Sequence, residues 1–389
     1  MRVITITREY GAGGLEVAKR LGEALGWKVL DRELLHQAAQ IEQLPDAELD
    51  RLDEKAVSMA DRFRLRPPYQ KYLHGLAEAA RKAAQQGNVV LVGRGARHLL
   101  GEMPDVFHLR LVAPRDWRAE RMSKLDGSPL EQARARCLET DRTRELFTRY
   151  FFGDAAMQPA QYDLVVNTSR VPLEEVVNLV AAVVRPGFEG PIRGVSHGRV
   201  LTLSRELGAG ETGFAAALAE RLEMQLYDRE LLEHEAIRLG LSEAEMEKVD
   251  ERPAGIFQRF RPGSVYQRYI EALEQIVRHL ADRGDVILVG RGGNCLLRED
   301  RRAFHVRLDA PMPVRVRRVM EYRWVRESVA KKLVAESDAQ RRSFYESYFG
   351  VDWASPLEYH LTVNSGRLGP PALDLVSLGA QRHWSRSES

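Results

Sequence analysis

A glycine-rich stretch follows an apolar run near the start of the chain, in ITREYGAGGLEVAKRL. Glycines there let successive backbone N–H groups point at phosphate oxygens, and the N-terminus of a following helix favours anions. Gly11, Gly13 and Gly14 are therefore predicted to hold the phosphates of a nucleotide. The strict pattern G-x-x-x-x-G-K-[ST] fails, because Arg8 stands at its first glycine and Gly14 at its lysine.

The same loop occurs a second time, because VITITREYGAG at Val3 returns as VLTLSRELGAG at Val200, 197 residues later. Here Gly208, Gly210 and Thr212 are the predicted phosphate-binding residues, and the Thr212 hydroxyl is the predicted magnesium ligand. Neither loop has the lysine. The arginine that ends each apolar run, Arg8 or Arg205, is therefore predicted to supply the missing positive charge.

A dinucleotide-binding loop is a rival interpretation of the second stretch. GAGETG at residues 208–213 matches G-x-G-x-x-G, and Asp228 lies 20 residues beyond Gly208. The first copy argues against it, because Glu16 stands where the third glycine should be. An NAD-type oxidoreductase is therefore the least favoured alternative, and a strand-to-helix turn without a ligand also remains open.

Arginine-rich helical segments follow in both copies, and several of their arginines recur at the same offset. Arg118, Arg121 and Arg144 return as Arg315, Arg318 and Arg341, whereas Arg142 has no counterpart because Ala339 takes its place. Such arginines beside a phosphate loop suit phosphoryl transfer, which depends on positioning and on neutralising the transferred group. The predicted catalytic residues are Arg8, Arg118, Arg142, Arg144, Arg205, Arg315 and Arg341.

Charged residues at other predicted strand ends would face the acceptor. LDRELL and its repeat YDRELL follow the second apolar run of each copy, and an arginine lies between two glycines in each VGRG motif. An arginine forks onto a phosphate, and an aspartate accepts from a base or sugar. The predicted substrate-binding residues are Asp31, Arg32, Arg94, Asp228, Arg229 and Arg291.

The repeat also sets the domain organisation. Short β-rich apolar runs alternate with helical patterns in each copy, which predicts parallel strands joined by crossover helices. The expected fold class is α/β, with two tandem three-layer α/β/α domains and parallel sheets. The predicted boundaries are 1–185 for copy one, 186–198 for a linker, 199–380 for copy two and 381–389 for a flexible tail.

Composition excludes several other classes of protein. The chain has 389 residues, 44% of them hydrophobic, and a net charge of +2, which argues against a dedicated nucleic-acid-binding protein. Its two cysteines, Cys137 and Cys295, are too few for a disulfide scaffold or a zinc cluster. No segment reaches the roughly 18 apolar residues of a membrane span. We expect a cytoplasmic protein without membrane or nucleic-acid partners.

Taken in order, TREYGAGG, LDRELL, VVLVGRG, the R-x-x-R helix, the D-R-x-R segment and YDLVVNT resemble the cytidylate kinase-like family of P-loop nucleoside monophosphate kinases. The resemblance implies a P-loop kinase-like fold for both tandem domains, ATP with Mg²⁺ as phosphoryl donor, CMP or a related pyrimidine nucleotide as acceptor, and an arginine lid closing over both. It also implies that Arg32, Arg94 and Arg118 face the acceptor, and that Arg142 and Arg144 face the transferring phosphoryl group.

The favoured function is thus phosphoryl transfer from ATP to a nucleoside monophosphate or a similar small acceptor. Because both loops lack the lysine, a nucleotide-binding regulatory module that has lost catalysis is the alternative. The sequence leaves open the acceptor's identity, which copy is active, the oligomeric state and any coupling between the two clefts.

Overall fold

The computed structural model describes residues 1–31, 67–93, 95–185, 198–210, 213–228 and 265–386. The chain divides into two compact units, Met1–Gly190 and Pro191–Ser389, and each contains one copy of the sequence repeat. Of the predicted linker, 186–198, only Gly198 lies within the described residues.

The first unit contains one parallel sheet. Its strands, among the described residues, are β1 (Val3–Arg8), β2 (Lys28–Leu30), β3 (Val89–Val92), β4 (Val106–Val112) and β5 (Leu164–Asn167). They lie in the order β2-β3-β1-β4-β5, and each pairing is parallel. Parallel neighbours need crossover connections, so the segments between the strands must pass over the sheet.

Helices cover both faces of this sheet. The described helices are α1 (Gly14–Leu25), α2 (Pro67–Gln86), α3 (Ala96–Leu100), α4 (Arg115–Asp126), α5 (Leu130–Phe152) and α6 (Leu173–Val184). Val3 packs with Leu76 and Ala80 of α2 on one face. Its neighbour Ile4 is equally buried and points to the opposite face, where α1 packs against α6. Strands buried on both faces are typical of parallel sheets.

The second unit repeats this architecture. Its described strands are β6 (Val200–Arg205), β7 (Gln225–Tyr227), β8 (Val286–Val289), β9 (Ala303–Asp309) and β10 (Leu361–Asn364), in the parallel order β7-β8-β6-β9-β10. The described helices are α7 (Phe214–Leu222), α8 (Val265–Arg283), α9 (Gly293–Leu296), α10 (Met312–Arg323), α11 (Glu327–Phe349), α12 (Ser365–Leu368) and α13 (Pro371–Arg386). The predicted α/β class with parallel sheets is confirmed.

The last described segment of the chain is helical. Helix α13 continues to Arg386, through most of the segment that the sequence assigns to a flexible tail. The reason is burial, because Trp384 is 2% exposed and its Nε1 donates to the Arg302 carbonyl oxygen at 2.8 Å. Trp384 is the one large apolar side chain in a mostly polar segment, and its burial fixes the helix.

Among the described residues, no helix is both long and apolar enough to span a membrane.

Candidate functional site

The glycine loop of copy one lies at the carboxyl end of β1, in the centre of the sheet. It leads into α1, whose N-cap residue is Gly13. No side chain caps this helix within the described part of the chain, and the Gly13 carbonyl oxygen accepts the helix bond of Val17 N–H at 3.0 Å. The first-turn N–H groups of a helix have no partner within it. They therefore form a suitable cradle for an anion.

Glycine is required at the first loop position of both copies. Gly11 and Gly208 each have a φ of 81°, in the left-handed region. A Cβ at Gly11 would lie 3.1 Å from the carbonyl oxygen of Arg118, and one at Gly208 would lie 2.6 Å from that of Arg315. The loops therefore pack directly against the first turns of α4 and α10.

Arg118 holds the loop to the helices that follow it. The guanidinium donates to the carbonyl oxygens of Tyr10 at 2.7 Å and Ala113 at 2.8 Å. It also donates to Asp141 Oδ2 at 2.6 Å, and the other oxygen of Asp141 accepts from Tyr10 N–H at 2.8 Å. Arg118 is only 4% exposed. Its described contacts are thus with the protein, and its predicted contact with substrate stays a prediction.

Arg315 repeats this arrangement in copy two. It lies 2.9 Å from Asp338 Oδ2 and 3.2 Å from Glu206 Oε2 and is also buried. The matching glutamate of copy one, Glu9, accepts from the backbone N–H of Ala113 at 3.0 Å. This glutamate is not among the residues predicted from the sequence. Its signal is the second residue of the R-E-x-G motif, which recurs at the same offset.

A second pair of recurring arginines touches the loops directly. Arg121 donates to the Gly11 carbonyl oxygen at 3.3 Å and to Glu16 Oε2 at 2.7 Å. Arg318 donates to the carbonyl oxygens of Gly208 and Ala209, both at 3.2 Å. These contacts tie α4 and α10 to the phosphate loops, so movement of either helix would move its loop.

Arg8 joins the loop to the neighbouring strand ends. Its Nη2 lies 3.5 Å from Asp31 Oδ1, just after β2, and both side chains are mostly buried. The side chain crosses over Gly14 and reaches Gly93 at the end of β3. The structure therefore brings together two residues predicted for different roles, the charge of the donor loop and an acceptor ligand.

Two further arginines predicted to be catalytic in copy one lie on α5. Arg144 Nη1 donates to the Arg8 carbonyl oxygen at 3.1 Å, and its guanidinium lies 6.0 Å from the ring centre of Tyr10. Arg142 is exposed on the same helix. Arg144 is thus close to the loop, and Arg142 is accessible to a ligand.

Arg341 is the counterpart of Arg144 in copy two. It donates to the Ser337 carbonyl oxygen at 3.4 Å and lies 6.0 Å from the ring centre of Trp353. Burial lowers the pKa of Arg341 to about 10, against the attraction of Asp338, and repulsion from Arg205 adds to the lowering. Copy two therefore holds two neighbouring arginines beside its glycine loop.

Copy two has one more carboxylate in the buried charge network beneath its loop than the matching positions of copy one. Arg307 donates to Asp309 Oδ1 at 3.0 Å and to Glu206 Oε1 at 3.1 Å, and its guanidinium lies 4.0 Å from the ring centre of Trp353. Burial and the nearby carboxylate of Asp309 together raise the pKa of Glu206 to about 7, against the attraction of Arg307 and Arg315. Val112 replaces this aspartate in copy one. The two sites thus differ in the charge beneath their loops.

The acceptor side is described only in part. Asp31 and Asp228 are half-buried just after β2 and β7. Arg291 has a φ of 50°, and its guanidinium lies 5.9 Å from the ring centre of Tyr269 on α8. Three residues predicted to bind the acceptor lie outside the described residues, namely Arg32, Arg94 and Arg229. Thr212 of the second glycine loop also lies outside them.

A small cluster packs beneath the arginine helices of copy one. Cys137 on α5 is fully buried with Ala119 and Ala133, and Tyr10 and Met122 pack against them. The Cys137 Sγ lies 4.0 Å from the Tyr10 carbonyl oxygen, and burial raises the pKa of the thiol. This cluster joins α4 and α5 to the glycine loop.

The protein offers no preformed metal cage in the part that is described. No group of three or more His, Cys, Asp or Glu side chains there is placed to hold an ion. The predicted magnesium ligand, Thr212, lies outside that part. Its copy-one counterpart is Leu15, whose side chain has no oxygen.

A parallel sheet in the order β2-β3-β1-β4-β5, with a glycine loop after its central strand, defines a P-loop kinase-like domain. The sequence profile of the cytidylate kinase-like family matches residues 3–170 and again residues 200–367. The chain therefore belongs to this family and carries two tandem copies of its domain, as the resemblance of the motifs predicts.

Individual relatives match about one copy each. A cytidylate kinase from Methanopyrus kandleri is 29% identical over 196 residues, which cover 48% of this chain and 95% of the relative. A cytidylate kinase from Pyrococcus horikoshii is 29% identical over 192 residues, which cover 47% and 88%. A shikimate kinase structure from Bacteroides thetaiotaomicron matches 47% of this chain and 97% of its own with a TM-score of 0.31 and 14% identity. The fold assignment rests on the strand order rather than on that score.

Proposed function

We propose that this protein is a nucleotide kinase that transfers the γ-phosphoryl group of ATP to a nucleoside monophosphate, with CMP as the first candidate. The observation that carries the proposal is the glycine loop before α1, a helix whose first turn no described side chain caps. Arginines of α4 and α5 hold this loop, and the chain belongs to the cytidylate kinase-like family. The names of the Methanopyrus and Pyrococcus relatives support the choice of CMP.

The proposed chemistry needs positioning rather than a general base. An acceptor phosphate oxygen is already an anion and can attack the γ-phosphorus directly, so the enzyme must align the two groups and neutralise their charge. In copy one, the N–H groups around Gly13 would bind the donor phosphates. Arg142 and Arg144 on α5 would approach the transferred group when the helices close and exclude water.

Magnesium enters the proposal as the cation that accompanies the ATP phosphates, where it neutralises their charge. Mg²⁺ keeps several waters and is usually bound through substrate phosphates with one or two protein oxygens. The apolar Leu15 cannot supply such an oxygen in copy one. We therefore propose that copy one binds the metal through the nucleotide, and that Thr212 can ligate it in copy two.

The test is ADP formation by the full-length protein with MgATP and a panel of nucleoside monophosphates, CMP first. Acceptor-dependent ADP formation is the expected result. Arg142→Ala should lower kcat about 10- to 100-fold, as expected for loss of one transition-state contact. The matched control is Arg149→Ala on the same helix, whose half-exposed side chain pairs with Glu145 one turn away. Equal activity of both variants would argue against the assignment of Arg142.

A second candidate is a nucleotide-binding module without catalysis. Its supporting observation is the absence of the loop lysine from both copies. Saturable ATP binding without ADP formation, across the whole panel of acceptors, would favour it over the kinase. The NAD alternative has no support from the comparisons, and saturable binding of a nicotinamide dinucleotide would be needed to restore it.

A further inference from the structure

The position of Gly14 is explained by the side chain of Arg8. A Cβ at Gly14 would lie 2.5 Å from Cγ and 2.8 Å from Cβ of Arg8, closer than such atoms approach in proteins. Gly14 stands where the strict phosphate-loop pattern has its lysine, and Arg8 stands at that pattern's first glycine. The stem of Arg8 therefore occupies the space that any side chain at residue 14 would need first.

The guanidinium of Arg8 reaches across the mouth of the loop. It lies against Gly93 at the end of β3, so that a Cβ there would collide with Nη1. Its Nη2 is 3.5 Å from Asp31, and its side chain is 16% exposed. The carbonyl oxygen of Arg8 accepts from Arg144, which fixes the backbone at the start of the loop. The cation thus stands between the donor loop and the predicted acceptor side.

We propose that Arg8 and Gly14 act as a pair that replaces the missing lysine. Gly14 leaves open the space that the Arg8 stem crosses, and the Arg8 guanidinium binds the donor phosphates of copy one. This inference rests on the proposed function, since it names the residue that binds the donor. It also states that, in copy one, a side chain at residue 14 would displace Arg8 from its observed position; the pair is confined to copy one, because copy two has Arg205 and Glu211 at the matching positions.

The charges favour a movement of the Arg8 guanidinium from Asp31 to the donor phosphates. Arg8 Nη2 and Asp31 Oδ1 are 3.5 Å apart, which is longer than a charge-assisted hydrogen bond of about 2.7–2.9 Å. A guanidinium offers a planar fork of donors that fits phosphate oxygens, and a polyphosphate carries more charge than one carboxylate. Arg8 would therefore leave Asp31 for the phosphates, which would free Asp31 to accept a hydrogen bond from the other substrate.

The test is a double-mutant cycle on the full-length protein. Binding of the non-hydrolysable analogue AMPPNP with Mg²⁺ is measured by calorimetry for Arg8→Gly, Gly14→Lys and the double variant Arg8→Gly with Gly14→Lys, which close the cycle, and for Arg8→Ala as a second single variant. Inorganic tripolyphosphate is the second probe, because it reports phosphate recognition without a base. Because the second copy gives its own signal, each titration reports the number of sites as well as their affinity.

The expected results are specific to the pair. Arg8→Ala weakens copy-one binding about tenfold or more, because a charge-assisted contact is lost. Gly14→Lys alone also weakens it, because the new side chain collides with Arg8. The double variant, which restores the lysine pattern, recovers binding relative to either single change. Such recovery cannot come from a misfolded protein, and thermal unfolding of each variant is measured beside it.

The outcomes separate this inference from the proposed function. Unchanged affinity and site number in Arg8→Ala, in a protein that binds AMPPNP, would overturn the inference and leave the kinase proposal standing. A double variant as weak as the weaker single variant would also overturn it. Failure of the unaltered protein to bind AMPPNP or tripolyphosphate would overturn the proposed function, and with it this inference.

Discussion

Arg118 and Asp141 are joined by a hydrogen bond of 2.6 Å between oppositely charged groups, and the same carboxylate accepts from the backbone of Tyr10. One aspartate on α5 thereby fixes both α4 and the glycine loop. Copy two keeps the pair as Arg315 and Asp338. The recurring arginine and aspartate thus form an ion pair that connects the glycine loop to α4 and α5.

Loss of the ion pair between Arg118 and Asp141 should destabilise the first unit. Asp141→Ala removes the nearer of the two carboxylates beside the buried guanidinium of Arg118 and leaves Glu9 Oε2 at 3.4 Å. We expect this loss to cost up to about 3–5 kcal/mol of unfolding free energy. Urea denaturation measures the loss. The control is Glu131→Ala, which removes an exposed carboxylate from the same helix and should cost less than about 1 kcal/mol. Similar losses in both variants would contradict the assigned role.

Gly208 should tolerate no side chain. Gly208→Ala places a methyl group 2.6 Å from the Arg315 carbonyl oxygen, in addition to the strain of a left-handed backbone. Gly350 is the matched control, because it has a φ of 67° and open space around it. We expect about 1–2 kcal/mol for Gly350→Ala, the cost of the backbone alone, and a clearly larger loss for Gly208→Ala in thermal unfolding. Equal losses would show that the close approach is unimportant.

Glu206 should make the stability of the second unit depend on pH. Its folded pKa of about 7 lies above the ordinary 4.5. Between these values the folded state keeps a proton that the unfolded state has lost, so stability falls as pH rises from about 4.5 to about 7. Glu206→Gln stays neutral and should remove this fall, which amounts to about 3 kcal/mol at most.

Thermal unfolding of both proteins from pH 4.5 to pH 8 gives the comparison. Glu336→Gln is the control, since this carboxylate is half-exposed on α11 and pairs only loosely with Lys332. A Glu206→Gln profile parallel to that of the unaltered protein would contradict the raised pKa.

Substitution of a buried and of an exposed tryptophan should affect stability differently. Trp384 is 2% exposed and anchors α13, so Trp384→Ala should cost about 3–5 kcal/mol. Trp324 is 92% exposed with a φ of 54°, where copy one has Gly127. Trp324→Gly should therefore leave stability unchanged or raise it by up to about 1 kcal/mol. Chemical denaturation of the two variants is a direct comparison, and a large loss for Trp324→Gly would be contrary to this expectation.

Much of the fold could be predicted because it depends on local pattern. The apolar runs at Val3, Val89 and Val286 are fully buried strands, and the alternation with helical segments requires parallel pairing. The family could be predicted from the order of the motifs in each copy. The boundaries of the domains and the assignment of substrate ligands remain predictions.

The sequence could not show which arginines face a ligand. Arg118 and Arg142 lie on consecutive helices with similar composition, yet one is buried against carbonyl oxygens and the other is exposed. That difference depends on how α4 and α5 pack against the loop, which no local pattern specifies. The relation between Arg8 and Gly14 is hidden for the same reason, since it joins the end of a strand to the start of a helix.

The buried thiol of Cys137 gives this protein an intrinsic reporter. It lies between α5 and the backbone of Tyr10, so an alkylating reagent can reach it only when the helix lifts from the loop. Cys295, the other cysteine, is half-exposed and serves as the internal reference for reagent quality. The ratio of the two labelling rates, followed by mass spectrometry, would measure lid opening in the native chain without any engineered probe.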